Sequence, residues 1–376
     1  MLFGKIDLVK IFFPIILSVV SSLCIDANCF ADTDKCTAHL EQGVDLFQRH
    51  EFAAAEKEFQ VALSVAQSEK NQLEINSCFN NLAALATASG NLPDAEKYYL
   101  KLVGEKVLPA GVSAVDIKLL LANVYVREGK EEQAESVNRQ VLVEATNTPR
   151  DQLIKARAYI NIAVILRKKG KLADSQQMYK KAADILSGCS GPAAEALTAR
   201  TLNDVGLLFL DMGELKLAEE AVRDALERTK KIYGTAHPNT ASTLGNLGSV
   251  LHAQGDNAGA EKSIKEAMDI YIQTKTNTEP HRITNWNNLG CVYLDEGKLA
   301  DAEKLLKDAV ALSRRHEFSS FLVQSLTNLA SVYAAQGKHV LAAQTFDEAM
   351  QLAVKSKSTL DVNRVKAAKE KYLRAK

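Results

Sequence analysis

Tryptophan occurs once, proline seven times, and aromatic residues make up only 6% of this 376-residue chain. So little proline and so few aromatics point toward helix. Net charge is missing as well, because 46 Lys+Arg balance 46 Asp+Glu. An electrostatic binder of nucleic acid needs a basic excess, so that class is excluded for the chain as a whole. With 24% charged residues and a mean hydropathy of -0.12, the chain is too polar for a multi-spanning membrane protein. The common catalytic signatures are absent too: there is no P-loop, no dinucleotide-binding glycine fingerprint, no HExxH and no Gly-x-Ser-x-Gly. The seven histidines are scattered along the chain, and none reads as part of a metal-ligand set. The expectation is a protein with no catalytic residues, no cofactor and no metal.

Long apolar runs are confined to the start. Lys5 and Lys10 precede an apolar stretch from Ile11 to Leu23, and Cys29-Phe30-Ala31 ends in the small-x-small pattern that a signal peptidase accepts. The run falls short of the roughly 20 apolar residues of a bilayer helix. Residues 1–31 therefore read as a signal peptide cleaved after Ala31, which makes the mature chain secreted or periplasmic; an uncleaved anchor is the competing reading. Cysteine is scarce, and Cys36, Cys78, Cys189 and Cys291 survive such cleavage without any CxxC spacing. Cys36 and Cys78 fall near the starts of two equivalent helices, where a disulfide and two free thiols are both compatible with the sequence.

What the chain has in abundance is a repeat. Asn246-Leu247-Gly248, Asn288-Leu289-Gly290 and Asn328-Leu329-Ala330 are each followed seven residues later by Gly255, Gly297 or Gly337. Weaker copies end at His50, Gly90, Gly129, Gly170 and Gly213, and the eight turn positions are 40, 39, 41, 43, 42, 42 and 40 residues apart. A period of about 41 is that of a solenoid. Each copy reads as two helices joined at the glycine, which reaches the left-handed conformation without a Cβ penalty. The second helix opens on a small residue, in the series Ala55, Ala95, Ala134, Ser175, Ala218, Ala260, Ala302 and Ala342, and a second alanine often follows seven positions on. Pro109, Pro149, Pro192, Pro238 and Pro280 lie between copies, where proline can open the next helix.

These residues resemble the tetratricopeptide repeat, whose signature is W-x2-L-G-x2-Y followed by A-x3-F. Copy seven carries Trp286, Leu289, Gly290 and Tyr293, then Ala302 with Leu306 in place of the aromatic; copy eight carries Ala342 and Phe346. The resemblance spans residues 36–353. The long period, with Gly234-Thr235-Ala236-His237-Pro238 before copy six, is similar to the kinesin light chain type of repeat. It implies an all-α, right-handed α-α superhelix of about eight helix-turn-helix repeats over residues 32–356, with residues 357–376 as a basic C-terminal capping helix.

Such superhelices bind peptides on a concave face lined by first helices. The resemblance implies that the residue before the Leu-Gly/Ala pair reaches the ligand's backbone, and that column includes Asn81, Asn161, Asp204, Asn246, Asn288 and Asn328. An amide side chain both donates and accepts, so it can pair with any peptide backbone, and it can equally bond a neighbouring helix to align the stack. Arg167 and Lys168 would favour a ligand with an acidic end. Residues 355–376 carry eight bases against two acids, and Val362, Val365, Ala368 and Tyr372 recur at helical spacing. That suits a cap; a weak membrane-surface contact is the alternative. The reading is a non-catalytic scaffold that binds a protein or peptide ligand in its groove, or alternatively an envelope assembly factor that contacts the membrane through its last helix.

Overall fold

The computed structural model describes residues 35–49, 51–276, 278–315, 319–356 and 358–374. The expected signal peptide, its cleavage point after Ala31, and the turn residue His50 lie outside these described residues. Seventeen helices and no strand occur within them. Eight successive pairs are α1 Lys35–Gln48 with α2 Phe52–Glu69, α3 Gln72–Ser89 with α4 Leu92–Leu102, α5 Ala114–Glu128 with α6 Glu131–Glu144, α7 Pro149–Lys168 with α8 Leu172–Ser187, α9 Pro192–Met212 with α10 Leu215–Tyr233, α11 Pro238–Ala253 with α12 Asn257–Gln273, α13 Glu279–Asp295 with α14 Leu299–Arg315, and α15 Ser319–Ala335 with α16 His339–Lys355. A last helix, α17, spans Thr359–Arg374. The fold is an all-α helix-turn-helix solenoid, and the chain divides into two compact units that meet in sequence at residues 162 and 163.

The turn glycines do what their position requires. Gly90, Gly129, Gly170, Gly213, Gly255, Gly297 and Gly337 all have φ between 72° and 87°, so each ends its helix in the left-handed conformation. Two details depart from the sequence expectation. The second helices open two residues after the glycine, as at Leu92, Leu172, Leu215 and Leu299, so the small residue sits one turn inside. Asn91 and Asp256 cap two of them, accepting from the amides of Asp94 and Gly259, while Lys130, Lys171, Glu214 and Lys338 hold the same place without a side-chain cap. Pro149, Pro192 and Pro238 open helices and Pro280 is second in its own, whereas Pro109 opens none. There α5 begins at Ala114 behind a capping box of Ser113 and Asp116.

Packing within a pair is governed by two residues sixteen apart. A Cβ built on Gly248 would stand 2.6 Å from Ile264 Cγ1, and one on Gly290 would stand 2.8 Å from Leu306 Cγ; Gly206 meets Val222 in the same way. All three branched aliphatic partners face glycine, and in the first pair so does Phe59, whose ring would stand 2.5 Å from a Cβ on Gly43. Alanine takes the equivalent place in Ala83, Ala122, Ala163 and Ala330, and the residues sixteen on are Tyr99, Asn138, Tyr179 and Phe346. A branched side chain puts methyl groups beside the opposing backbone and cannot swing clear. The second helix answers with its own small residues, Ala218, Ala260, Ala302 and Ala342, all fully buried.

Between pairs, a second device recurs on the turn side. The lysine after the turn glycine lies over the tyrosine five residues before it, as Lys130 on Tyr125, Lys298 on Tyr293 and Lys338 on Tyr333, with nitrogens 5.7, 5.0 and 5.5 Å from the ring centroids. The same lysines pair with Glu96, Glu261 and Glu303 of the preceding second helix. Hydrogen bonds from Lys307, Lys338 and Gln336 hold the Glu303 carboxyl down at about 2. Each pair is partly solvated and adds little alone, so the repetition matters more than any member.

Gly248→Ala is expected to cost roughly 1–3 kcal/mol by overpacking, and Ile264→Ala about 2–5 kcal/mol by leaving a cavity. Urea denaturation of the double variant should give less than the sum of the two, because the alanine methyl enters the space that Ile264 vacates. Strict additivity would show that the two positions do not meet.

Candidate ligand-binding face

The asparagine column lies on the first helices of the pairs, and the two units hold its members differently. In residues 35–162, Asn161 on α7 is buried and donates to Asn123 Oδ1 at 2.8 Å and Asn138 Oδ1 at 3.2 Å. It is therefore a core residue of its seam. Asn138 in turn donates to the Ala134 carbonyl at 2.8 Å, so this is a buried chain of amides, each satisfied by the next. Asn81 on α3 is half-buried.

In residues 163–374 the column is half-buried and bridges successive first helices. Asn246 donates to Asn203 Oδ1 at 3.0 Å, Asn288 to Ser249 Oγ at 2.9 Å, and Asn328 to Asn287 Oδ1 at 3.4 Å. Asn287 is fully buried and donates onward to Ser325 at 2.9 Å. The stack-aligning role is thus real. It consumes one N–H of each half-buried asparagine, and among the described residues the second N–H and the Oδ1 of Asn246, Asn288 and Asn328 have no hydrogen-bond partner. Sequence reasoning missed the partners Asn203, Asn287 and Ser249. The doublets Asn203-Asp204 and Asn287-Asn288 were the available signal, since adjacent positions on a first helix can face the preceding and the following repeat.

One turn on, charged groups pair across repeats in the same manner. Arg167 Nη1 lies 2.9 Å from Asp211 Oδ2, and His252 Nε2 lies 2.8 Å from Asp295 Oδ2. Arg167 is therefore already engaged by a carboxylate, whereas Lys168 is half-buried and has no ion-pair partner among the described residues. Asp204 departs from the column in kind. Burial raises its pKa, while Arg200, 3.8 Å away, and Arg167 pull it back. Cys291, on the same turn as Ser249 in its own helix, is pushed up to about 12 by burial and by Asp295, with Lys371 opposing.

A cleft of about 810 Å³ opens elsewhere in this unit, between α8 and α9 with Arg228 of α10 at its rim. Its floor includes Leu202, Val205 and Phe209, which occupy the positions filled by Trp286, Leu289 and Tyr293 in copy seven. The smaller side chains account for the space. No disulfide joins Cys36, Cys78, Cys189 and Cys291, and Cys36 and Cys78 are both fully buried. No group of three or more His, Cys, Asp or Glu among the described residues could hold a metal ion, and no described helix is long and apolar enough to cross a membrane.

The position of Asp204 yields a pH test. A carboxyl whose folded-state pKa is raised keeps its proton longer in the folded protein, so stability falls as pH rises through that window and stays lower above it. Asp204→Asn restores the amide of the column and removes the buried charge. Thermal melts should show its Tm above wild type by about 2–4 °C at pH 7, the shift of roughly 1 kcal/mol in a unit of this size, and by less at pH 3.5. A lower Tm at pH 7 would mean that the pairing with Arg200 and Arg167 outweighs the burial.

Residues 197–273 and 281–355 match a family model described as tetratricopeptide repeat, and residues 156–185 match a second with the same description. No curated protein matches the sequence. Among solved structures, the apo form of the quorum sensor NprR from B. thuringiensis aligns with a TM-score of 0.63 at 16% identity, covering 92% of this chain and 93% of that one. A signal transduction ATPase with numerous domains and a tetratricopeptide repeat sensor, from Pyrococcus horikoshii, aligns at 0.56 and 12% identity over 92% of this chain and 54% of its own. The APC/C hetero-tetramer Cut9-Hcn1 aligns at 0.54 and 17% identity, over 93% and 58%. Identities this low speak for the fold alone. The chain is an all-α solenoid that carries tetratricopeptide repeats at residues 156–185, 197–273 and 281–355.

Proposed function

We propose that this protein is a non-catalytic scaffold that takes an extended peptide or a partner helix along the face bearing Asn246, Asn288 and Asn328, with Lys168 at one end of that face. The observation that carries the reading is the spare half of each amide. Three asparagines on successive first helices each spend one N–H on the stack and keep a donor and an acceptor unpartnered. Groups that donate and accept at a regular spacing suit a peptide backbone whatever its side chains. The period of about 41 residues and the Gly234-Thr235-Ala236-His237-Pro238 junction support the kinesin light chain type of repeat. Of the two candidate roles for the last helix, the cap is favoured, because Val365 is fully buried and Val362, Ala368 and Tyr372 pack against the last repeat rather than standing free for a lipid surface.

The test is affinity capture from the native extract, identification of the partner, and titration of that partner against Asn246→Ala plus Asn288→Ala. Affinity is expected to fall at least tenfold, while Tm falls by a few degrees through the bonds lost to Asn203 and Ser249. Unchanged affinity with lowered Tm would make the column purely structural. We propose further that the protein is exported. Lys5, Lys10 and the apolar run to Leu23 support that reading, and N-terminal sequencing of the exported full-length product should begin at Asp32. A retained Met1 would turn the segment into an anchor.

A further inference from the structure

In a solenoid each repeat touches only its neighbours. The last helix obeys that rule on one side, where Val365 is fully buried and Val362, Ala368 and Tyr372 join the cluster of Leu326, Val332 and Phe346 on α15 and α16. On its other side it breaks the rule. Arg364 Nη2 lies 3.3 Å from Asp211 Oδ1 on α9, 153 positions earlier in the chain. Thr359 Cγ2 lies 3.8 Å from where a Cβ on Gly170, just past α7, would stand. Lys371 is close enough to Cys291 on α13 to oppose the rise of its thiol pKa. Within residues 163–374, α17 thus reaches from the last repeat to the ends of α7 and α9 and toward Cys291 near the end of α13, along the turn end of the first helices that bear the asparagine column.

One carboxylate of the face is shared with the last helix. The described length of α17 carries five bases, Arg364, Lys366, Lys369, Lys371 and Arg374, against Asp361 and Glu370. Arg364 meets Asp211, and Lys369 meets Asp347 of the second helix α16 at 2.6 Å, while Asp295 near Cys291 is already bonded to His252. Asp211 is shared, with Arg167 on one oxygen and Arg364 on the other. Arg167 is fixed in the repeat and largely buried, whereas Arg364 is 44% exposed and its bridge is of the solvated kind that adds little to stability. Asp211 is therefore held by a basic amphipathic helix through a contact that solvent can compete for.

We propose that α17 is a resident occupant of this face, and that the face receives a basic amphipathic helix of a partner protein in its place. The proposal rests on the reading of the face as a ligand surface and names its ligand's chemistry: apolar residues at the spacing of Val362, Val365, Ala368 and Tyr372, flanked by arginine or lysine. The partner helix takes over the carboxylate of Asp211 and the apolar surface of α15 and α16. Its apparent affinity is lowered by the fraction of molecules in which α17 is seated.

The experiment uses the full chain and, as probe, a labelled synthetic peptide of residues 357–376 followed by fluorescence anisotropy. Arg364→Glu places a carboxylate against Asp211 and should bind the peptide at least tenfold more tightly than the wild-type chain does. Adding Asp211→Asn to that variant should remove most of the gain, and 0.5 M salt should weaken the remainder. If Arg364→Glu keeps its Tm and still binds no better than wild type, α17 is only a cap and the proposal is overturned. Should that variant fold poorly, hydrogen exchange on the wild-type chain decides instead. Residues 359–374 should then exchange before α15 and α16 and faster at high salt, and exchange in step with those helices would overturn the proposal. The outcome is separable from that of the groove itself, since loss of partner capture on Asn246→Ala plus Asn288→Ala does not depend on whether α17 moves.

Discussion

The close approach of the two helices in each repeat is the constraint from which the remaining structure follows. Where the second helix presents Val222, Ile264 or Leu306, the first helix has no side chain at all, and Gly206, Gly248 and Gly290 let the branched chain lie against its backbone. Where the facing position is Tyr99, Asn138, Tyr179 or Phe346, a single methyl is tolerated. Gly43 likewise leaves room for the ring of Phe59, so the two positions of a seam have to be read together. Because every seam closes to a similar depth, successive first helices come within hydrogen-bonding reach of one another, and the polar columns can connect.

Those columns differ on the two sides of the first helices. Toward the turns, tyrosine, lysine and glutamate recur in the same spatial order at Tyr125, Tyr293 and Tyr333, a solvated arrangement that tolerates substitution. On the asparagine side the contacts are between amides, hydroxyls and a few charges, and they pass from one repeat to the next. In the first unit this chain is buried at Asn161 and serves the core. In the second it is half-buried, and each asparagine keeps part of its hydrogen-bonding capacity. On the proposed function, the row that aligns the stack is also the surface a ligand meets, so a ligand there finds a preformed row rather than mobile side chains.

Much of the fold was legible in the residues. The turn glycines, the small residues of the second helices and the apolar stripes are local features, and each reappears where its spacing put it. The second helices start two residues after the turn glycine whether or not the residue between caps them, so the small residue five on marks the seam and not the helix start, and Pro109 opens no helix because Ser113 and Asp116 cap one that begins at Ala114. The candidate face was half legible. Its asparagines were identified, yet the bonding that splits them into a buried member, Asn161, and half-buried members, Asn246, Asn288 and Asn328, depends on the partners each finds across the seam.

The sequence by itself determined the repeat, its length and its helical content, since these follow from backbone preference and periodic burial within about 41 residues. Tertiary structure alone decided which distant groups meet. The basic character of residues 355–376 was plain from composition, but that Arg364 would find Asp211 depends on small rotations between successive helix pairs accumulated from α9 to α17. No single repeat encodes that sum, so the contact between the last helix and a carboxylate 153 residues earlier could be seen only in the folded chain.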